Sequence, residues 1–409
     1  ATAMLPFALL PATASATNGY FSHGYGVKAQ GLAGVGIALP QDGLAAATNP
    51  AGTAFVGDRL DLGATWFRPS RGAEITGNRA GLSGSYSAND SQNFFIPEIG
   101  YVKQVGRDWA LGVAVYGNGG MNTDYGNNPF RALGASGSAG VNLEQLFVSP
   151  SVAYKITEDH ALGLAVNFAY QRFEARGIQP FAAFSSDPAD FSNRGTDSST
   201  GWGVRLGYTG RITPEVTVGL TWASKTWTSN FDRYSGLFAQ GGGFDIPANF
   251  GGGVAWKASQ QLTLAADVQR IQYSGVDSVG NPLANLVAGN GFGRANGPGF
   301  GWKDVTVGKI GLAYDVGDWT LRTGYSYATQ PIPSSQTFLN ILAPGVVQNH
   351  LSIGATWRNG KSGELSLAYT RAFKKTINGS GSIPPNLGGG EADIELAEDI
   401  LGIAYGWKF

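Results

Sequence analysis

The chain ends on the stretch LGIAYGWKF, residues 401–409, and this stretch decides the fold. Its odd positions carry large apolar side chains, whereas its even positions are small or polar. Such period-two alternation is typical of a strand that has lipid on one side and a polar lumen on the other. A final strand that ends on an aromatic residue is also how outer-membrane β-barrels usually close. The stretch therefore predicts the last strand of a transmembrane β-barrel.

The composition agrees with a barrel. Charged residues make up 14% of the chain, compared with roughly 25% in an average soluble domain. The mean hydropathy is only -0.08, and no apolar run approaches the roughly 18 residues of a spanning helix. A membrane protein without such helices must close its backbone hydrogen bonds in a barrel. The alternative is a secreted, glycine-rich, all-β soluble protein, since 62 residues are glycine.

Several classes of function are disfavoured. The net charge of -1 gives no indication of nucleic-acid binding, and the absence of cysteine rules out disulfide and thiol chemistry. His23, His160 and His350 lie far apart in the sequence, and no nucleophile or metal-ligand motif accompanies them. We therefore expect neither an enzyme nor a protein with a metal or another cofactor.

Alternating segments recur along the chain and are separated by six short polar turns, at 105–108, 157–160, 213–215, 257–261, 317–318 and 359–363. The predicted strands are 55–69, 94–105, 108–118, 142–156, 160–174, 201–212, 215–228, 247–258, 261–274, 302–316, 318–330, 347–358, 362–374 and 393–409. They number fourteen, an even count, as bacterial single-chain barrels require. The predicted fold class is therefore all-β, a 14-stranded antiparallel transmembrane β-barrel.

Turns and loops predict the orientation of this barrel. Six short turns alternate with seven long loops, and short turns belong on the periplasmic side. Both termini are then periplasmic, and the location is the bacterial outer membrane. Two irregularities are expected: the apolar phase shifts near Lys309, which predicts a bulge, and Pro150 interrupts another strand.

The first 54 residues do not alternate. Residues 1–16 are expected to be the remnant of a signal peptide, because a short apolar core precedes the small-residue site Ala14-Ser15-Ala16. Residues 17–54 are too many for a tail and too few for an independent domain. A barrel of this size has a lumen too wide to fill with its own side chains. We therefore expect residues 17–54 to be a hatch that plugs the lumen, with the barrel at 55–409.

The hatch sequence GYFSHGYGVKAQGLAGVGIALPQDGLAAATNPAG, residues 19–52, resembles the amino-terminal signature of the FadL/TodX family of outer-membrane transporters of hydrophobic compounds. GYSYATQPIPSSQTFLNILAPGVVQNH, residues 324–350, is similar to long-chain fatty acid transporters. The resemblance implies passive uptake of long-chain fatty acids or other hydrophobic molecules, including hydrocarbons. It also implies a gate in which an Asn-Pro-Ala motif of the hatch meets an inward kink of the third strand, where the wall opens sideways.

Two sets of residues match that gate. Asn49, Pro50 and Ala51 match the motif of the hatch. The third strand ends in Tyr116, Gly117, Asn118, Gly119 and Gly120, and its glycines would allow a kink or bulge. We place the lateral opening there by resemblance and glycine content. The alternative is the start of an ordinary loop.

Ligand-binding candidates come from loops and from the lumen. Apolar clusters in long loops can capture hydrophobic molecules, although they could also pack only on each other or on the barrel rim. The loop candidates are Phe181, Phe184, Phe338, Leu339, Ile341 and Leu342. Alternation turns Arg205 and Arg322 inward, where a guanidinium could hold a fatty acid carboxylate. Either arginine could instead pair with a lumen carboxylate such as Asp61 or Asp267.

Two other functions stay open on the sequence. A general or substrate-selective porin for small polar solutes is the main alternative to a hydrophobic-compound channel. A role as an adhesin or phage receptor could accompany either function. The expected partners are hydrophobic small molecules together with outer-membrane lipid and lipopolysaccharide, around a monomeric barrel.

Overall fold

The computed structural model of the protein describes residues 18–360 and 362–409. The predicted signal remnant, residues 1–16, lies outside this part of the chain. In the described residues one sheet contains sixteen strands, of which Gly84–Ser87 and Trp227–Thr228 are short additions. The other strands form the wall and are β1 (Arg59–Thr76), β2 (Phe94–Val105), β3 (Trp109–Asn122), β4 (Gly140–Lys155), β5 (His160–Arg176), β6 (Asp197–Arg211), β7 (Val216–Ala223), β8 (Asn249–Lys257), β9 (Leu262–Ile271), β10 (Val305–Val316), β11 (Trp319–Ala328), β12 (Asn349–Asn359), β13 (Gly363–Ile377) and β14 (Glu391–Lys408).

The wall is a closed cylinder. Each strand pairs antiparallel with the next one along the chain, and β14 pairs with β1 over their full lengths, from Arg59 opposite Lys408 to Thr76 opposite Glu391. Closure leaves no free strand edge, whose backbone groups would find no hydrogen-bond partner in lipid. The predicted 14-stranded antiparallel barrel is confirmed.

The short turns lie at one end of the cylinder and the long loops at the other. All six predicted turns join consecutive strands, and the chain terminus lies at the same end, where the Phe409 N–H donates to the carbonyl of Asp58 over 3.1 Å. The opposite end carries the seven long connections. This arrangement gives the barrel the predicted orientation.

Outward and inward positions alternate as predicted. Leu111 and Leu162 are each 50% exposed on the outside, while the preceding inward residues Ala110 and Ala161 are fully buried. Six tryptophans face outward near strand ends, as an interfacial aromatic girdle requires. They are Trp109, Trp222, Trp256, Trp319, Trp357 and Trp407.

Two predicted details of the strands are wrong. Strand β1 runs from Arg59 to Thr76 rather than 55–69, because Phe55 belongs to a 3₁₀ helix of the lumen. No bulge occurs at Lys309, since β10 keeps a continuous register with both described neighbours. The irregularity expected at Pro150 is present, since the ladder between β4 and β5 is interrupted there without a shift in register. The register shifts instead in β3, between Gly117 and Gly119, and in β13, between Ala372 and Lys375.

The hatch occupies the lumen. It contains helix α1 (Val27–Gln30), helix α2 (Ala45–Thr48) and the 3₁₀ helix Pro50–Phe55. Its apolar residues Leu32 and Val35 are fully buried. Each helix in the described part of the chain is too short or too polar to cross a bilayer.

Candidate functional site

Carboxylates of the wall hold the turns of the hatch. Because the hatch has little regular structure, many of its N–H groups need partners outside its own backbone. Inward-facing acids of three strands accept hydrogen bonds from them. The contacts are Glu98 with the N–H groups of Gly26 (3.2 Å) and Val27 (3.1 Å), Asp267 with Gly36 (2.8 Å) and Ile37 (3.0 Å), and Asp61 with Gly43 (2.7 Å).

An ionic cluster ties the hatch to the short-turn end of the wall. Glu364 of β13 pairs with Lys28 of the hatch and with Arg59 of β1. Its second oxygen lies 2.8 Å from Lys408, and Arg59 also pairs with Asp61 at 2.7 Å. Lys28, Arg59 and Glu364 are all buried. Burial lowers the pKa of Lys28 from its ordinary value, although Glu364 opposes this shift.

A histidine pair lies on another side of the hatch. The ring of His23 stacks on His350 of β12, with 4.6 Å between their centroids. Lys309 of β10 donates to the carbonyl oxygens of His23 (3.3 Å) and Gly34 (3.1 Å). Burial lowers the pKa of His23 well below its ordinary range, and His350 and Lys309 lower it further. His23 is therefore neutral here.

The Asn-Pro-Ala motif packs on β5 and β6. The Asn49 side-chain amide donates to the carbonyl of Tyr208 (2.9 Å) and to the hydroxyl of Thr209 (3.1 Å). It also donates to the hatch carbonyl of Ile37 over 2.8 Å, while its oxygen accepts from the Ala51 N–H. These bonds attach the motif to β6 and to the hatch itself. The motif was expected at the kink of the third strand, and the structure places it on β5 and β6 instead.

A different part of the hatch meets the kink. Strand β3 is bulged between Gly117 and Gly119. At this point the Ser22 N–H donates to the carbonyl of Asn118 over 2.9 Å, and the Gly120 N–H donates to the carbonyl of Tyr20 over 2.9 Å. The Tyr25 hydroxyl adds a bond of 2.9 Å to the Asn118 side chain. Hatch residues 20–22 therefore act as a short partner strand for β3.

The wall itself is interrupted beside the bulge. Strands β2 and β3 are paired only from Val105 opposite Trp109 to Ile99 opposite Val115. Beyond Val115, β3 keeps its pairing with β4 but leaves β2, which pairs with β1 up to Phe94. Ile96 and Tyr116 are buried at the divergence. A cavity of about 20 Å³ lies behind it, lined by residues of both strands and by hatch residues 22–25.

The apolar loop residues are mainly buried rather than exposed to solvent. A cavity of about 50 Å³ among the long loops is lined by Phe181, Leu339 and Leu342. Phe338 is fully buried against the rings of Phe130 and Phe181, with 6.0 Å between centroids in each pair. Of the six loop candidates, Ile341 is a core residue and Phe184 is at the surface. The loops thus pack on each other and still leave an apolar space.

The two arginine candidates both point inward, as predicted. Arg205 donates to the carbonyl of Thr48 (3.2 Å) and to Thr221 (3.3 Å), and it lines a lumen cavity of about 20 Å³ that Lys309 also lines. Arg322 donates to Gln41 of the hatch over 2.9 Å. Among the described residues, Asp61 pairs with Arg59 and accepts from the hatch, and Asp267 accepts from the hatch, whereas neither pairs with Arg205 or Arg322.

Sequence reasoning placed Asp61 and Asp267 in the lumen but missed their bonds to the hatch. It also missed Glu98, Glu364 and residues 20–22. A usable signal existed for the acids, because Glu98, Asp267 and Glu364 occupy inward positions of alternating strands, where a charge needs a partner. No comparable signal existed for residues 20–22, since their pairing with β3 joins segments almost a hundred residues apart.

The comparisons with known proteins agree with this architecture. The family described as "Outer membrane protein transport protein (OMPP1/FadL/TodX)" matches residues 9–382. The Pseudomonas putida toluene transporter TodX has a similar structure, with a TM-score of 0.71 and 19% identity, over 95% of this chain and 99% of that chain. None of the curated protein sequences matches the chain.

Two further solved structures share the fold. A Pseudomonas aeruginosa FadL homologue has a TM-score of 0.71 at 18% identity, covering 96% of this chain and 100% of its own. The Ralstonia pickettii toluene transporter TbuX has a TM-score of 0.65 at 20% identity, covering 95% of this chain and 99% of its own. At such identities the structures establish the fold, while the family match spans most of the sequence. The chain therefore belongs to the OMPP1/FadL/TodX family and is an outer-membrane transport protein, not an enzyme.

Proposed function

We propose that the protein is a passive channel that takes hydrophobic molecules from the medium into the outer membrane through the side of its wall. A molecule enters the apolar space among the loops, passes between hatch and wall, and leaves where β3 diverges from β2. The divergence is the observation that carries the proposal. A solute that prefers hydrocarbon to water gains free energy by leaving into lipid rather than into the periplasm.

The gate we propose has two parts. Hatch residues 20–22 close the inner side of the divergence through backbone hydrogen bonds to β3. Asn49, Pro50 and Ala51 form the opposite anchor of the hatch, on β5 and β6. Movement of residues 20–22 away from the stretch Tyr116–Gly120 would open a path without breaking the remaining barrel pairs. The anchor at Asn49 would keep the hatch in the lumen during that movement.

The substrate we propose is a long-chain fatty acid. Arg205 and Lys309 line the same lumen cavity and could hold a carboxylate. In addition, the Arg205 Nε–H has no hydrogen-bond partner among the described residues. The apolar space among the loops would accept the acyl chain.

Aromatic hydrocarbons are the second candidate. The loop cavity is lined by Phe130, Phe173, Phe181 and other phenylalanines, and no charged side chain contributes to its lining. Such a surface suits an aromatic ring through offset or edge-to-face contacts. TodX and TbuX, which share this fold, are both described as toluene transporters.

A reversible disulfide across the divergence tests the exit. A Cβ placed at Gly117 would lie 4.0 Å from the Cβ of Ile96, a separation that suits a disulfide. The chain has no cysteine of its own, so the double variant Ile96→Cys, Gly117→Cys can form only the intended bond. We expect oxidised cells to lose uptake of labelled oleate and toluene, and reductant to restore it.

Single-cysteine variants control for the substitutions themselves. Each should transport under both oxidising and reducing conditions, and heat-dependent migration in gels should show folded barrels throughout. Uptake that persists in the fully oxidised double variant would contradict the lateral exit. If the oxidised double variant loses uptake of only one of the two molecules, the class of that molecule is the one that leaves through the divergence.

A further inference from the structure

A second polar site lies close to the wall divergence. A cavity of about 20 Å³ is lined by the hatch, by β1 and β14, by the end of β3, and by the loops before β10 and β12. Its lining is mostly apolar and includes Phe67, Met121 and Trp302. Two charged side chains also line it, Arg71 of β1 and Glu398 of β14.

Glu398 presents an unused carboxylate to this cavity. The residue is fully buried, and neither of its oxygens has a hydrogen-bond partner among the residues that the structure describes. A buried polar group in this condition costs free energy unless another molecule satisfies it. The other buried acids of the wall, by contrast, accept from the hatch backbone or pair with cations.

Arg71 presents a complementary donor. Its terminal nitrogens donate to the Asn122 side chain over 2.7 Å and to the Ser91 carbonyl, which fixes the guanidinium beside the end of β3. The residue is 3% exposed, and within the described chain its Nε–H has no partner. The cavity therefore offers one N–H donor and one carboxylate acceptor.

We propose that Arg71 and Glu398 form a binding site for the hydroxyl group of neutral hydrophobic molecules, namely alkylphenols and long-chain alcohols. A hydroxyl can donate one hydrogen bond to Glu398 while it accepts another from Arg71. The site favours neutral ligands, because a charged group would lose its hydration in this buried cavity at a much higher cost than a hydroxyl would. The inference rests on the proposed function, since the ligand would reach this site along the same path.

The volume of the cavity limits what it holds. About 20 Å³ accommodates a group the size of a water molecule rather than a whole ligand. The hydroxyl would therefore occupy the cavity, and the apolar part of the molecule would enter only where the buried lining residues Phe67, Met121 and Trp302 move apart. The competing occupant is an ordered water, which can also donate to Glu398 and accept from Arg71.

Three matched probes separate these cases: 4-propylphenol, propylbenzene and 4-propylbenzoate. Each is labelled and bound to the full chain in lipid nanodiscs by equilibrium dialysis, with empty nanodiscs to subtract partitioning into lipid. We expect the wild type to bind the phenol more tightly than the other two. In Glu398→Leu the affinity for the phenol should fall by about tenfold or more, while binding of propylbenzene persists.

Glu395→Leu is the matched control. Glu395 lies on the same strand and pairs with Lys374 at 2.7 Å, outside the cavity. Its variant should keep the preference for the phenol. Binding of propylbenzene also reports whether the Glu398→Leu variant is folded. If the variant is unfolded, the relative affinities of the wild type for the three probes still test the inference.

The results that would contradict the inference differ from those that would contradict the proposed function. An unchanged preference for the phenol in folded Glu398→Leu would mean that the site holds water only, and tightest binding of the benzoate would mean an anion site. Either result overturns the inference and leaves the proposed function standing. No binding of any probe to the wild type, together with no cellular uptake, would overturn the proposed function as well.

Discussion

At the scale of single residues, buried charge is the main feature of the lumen. Glu364 is 3% exposed and contacts cations from the hatch and from two strands. Buried ion pairs add modest net stability when complete, but a remaining charge is costly once its partner is removed. The cluster therefore specifies where the hatch sits more than it stabilises the fold as a whole.

Glu364→Gln should loosen the hatch. The substitution leaves Lys28 buried without its carboxylate, so we expect the unfolding free energy to fall by about 3 kcal/mol. Hydrogen exchange around helix α1 should accelerate as well. Urea unfolding in lipid vesicles and exchange mass spectrometry provide the two measurements.

Glu158→Gln is the control for this prediction. Glu158 forms an ion pair with Arg107 over 3.7 Å in which both side chains are almost fully exposed. Such surface pairs contribute little, so this variant should behave like the wild type. Equal losses in both variants would show that the cluster has no special role.

At the scale of elements, the hatch and the wall meet through glycines. The Asn-Pro-Ala motif approaches β5 and β6 so closely that a Cβ at Gly207 would lie 1.9 Å from the Asn49 side-chain oxygen. A Cβ at Gly163 would lie 2.2 Å from the Ala51 nitrogen. The small inward residues of the wall are therefore required by the backbone of the hatch, not by strand formation, which glycine disfavours.

Gly207→Ala should displace the end of the hatch. The added methyl group conflicts with Asn49, so we expect a loss of about 1–3 kcal/mol of stability and faster proteolysis within residues 44–55. Gly308→Ala is the matched control, since a Cβ there has no neighbour within 4 Å. Equal protease resistance of the two variants would argue against close docking at β6.

At the scale of the whole molecule, the barrel is a filled cylinder. Two lumen cavities beside the hatch have volumes of about 20 Å³ each, which is room for isolated waters. An open barrel of this width would conduct ions. The proposed function therefore requires a solute to move the hatch or to use the divergence in the wall.

Single-channel recording in planar bilayers tests this conclusion. We expect the wild type to show no large steady current. Gly119→Val should conduct more, because a Cβ at Gly119 would lie 1.8 Å from the Tyr20 carbonyl oxygen and force residues 20–22 away. A large steady current in the wild type would instead favour the porin alternative.

The sequence by itself determined the barrel. The number of strands, the six turns and the lipid-facing side of each strand follow from period-two alternation, which is a local property that neighbouring residues reveal. Even so, local pattern misplaced a bulge at Lys309: an inward lysine breaks the apolar phase, yet it stays in register because hatch carbonyls accept its hydrogen bonds.

Only the tertiary structure decided how the hatch and the loops are arranged. The hatch has no periodicity, and its position depends on contacts between distant residues, such as Lys28 with Glu364. For the same reason, the structure alone paired residues 20–22 with β3 and placed Asn49 on β6. Glu398 shows the limit most clearly: the alternation turns it inward, but only the packing around it leaves both of its oxygens without a partner in the described chain.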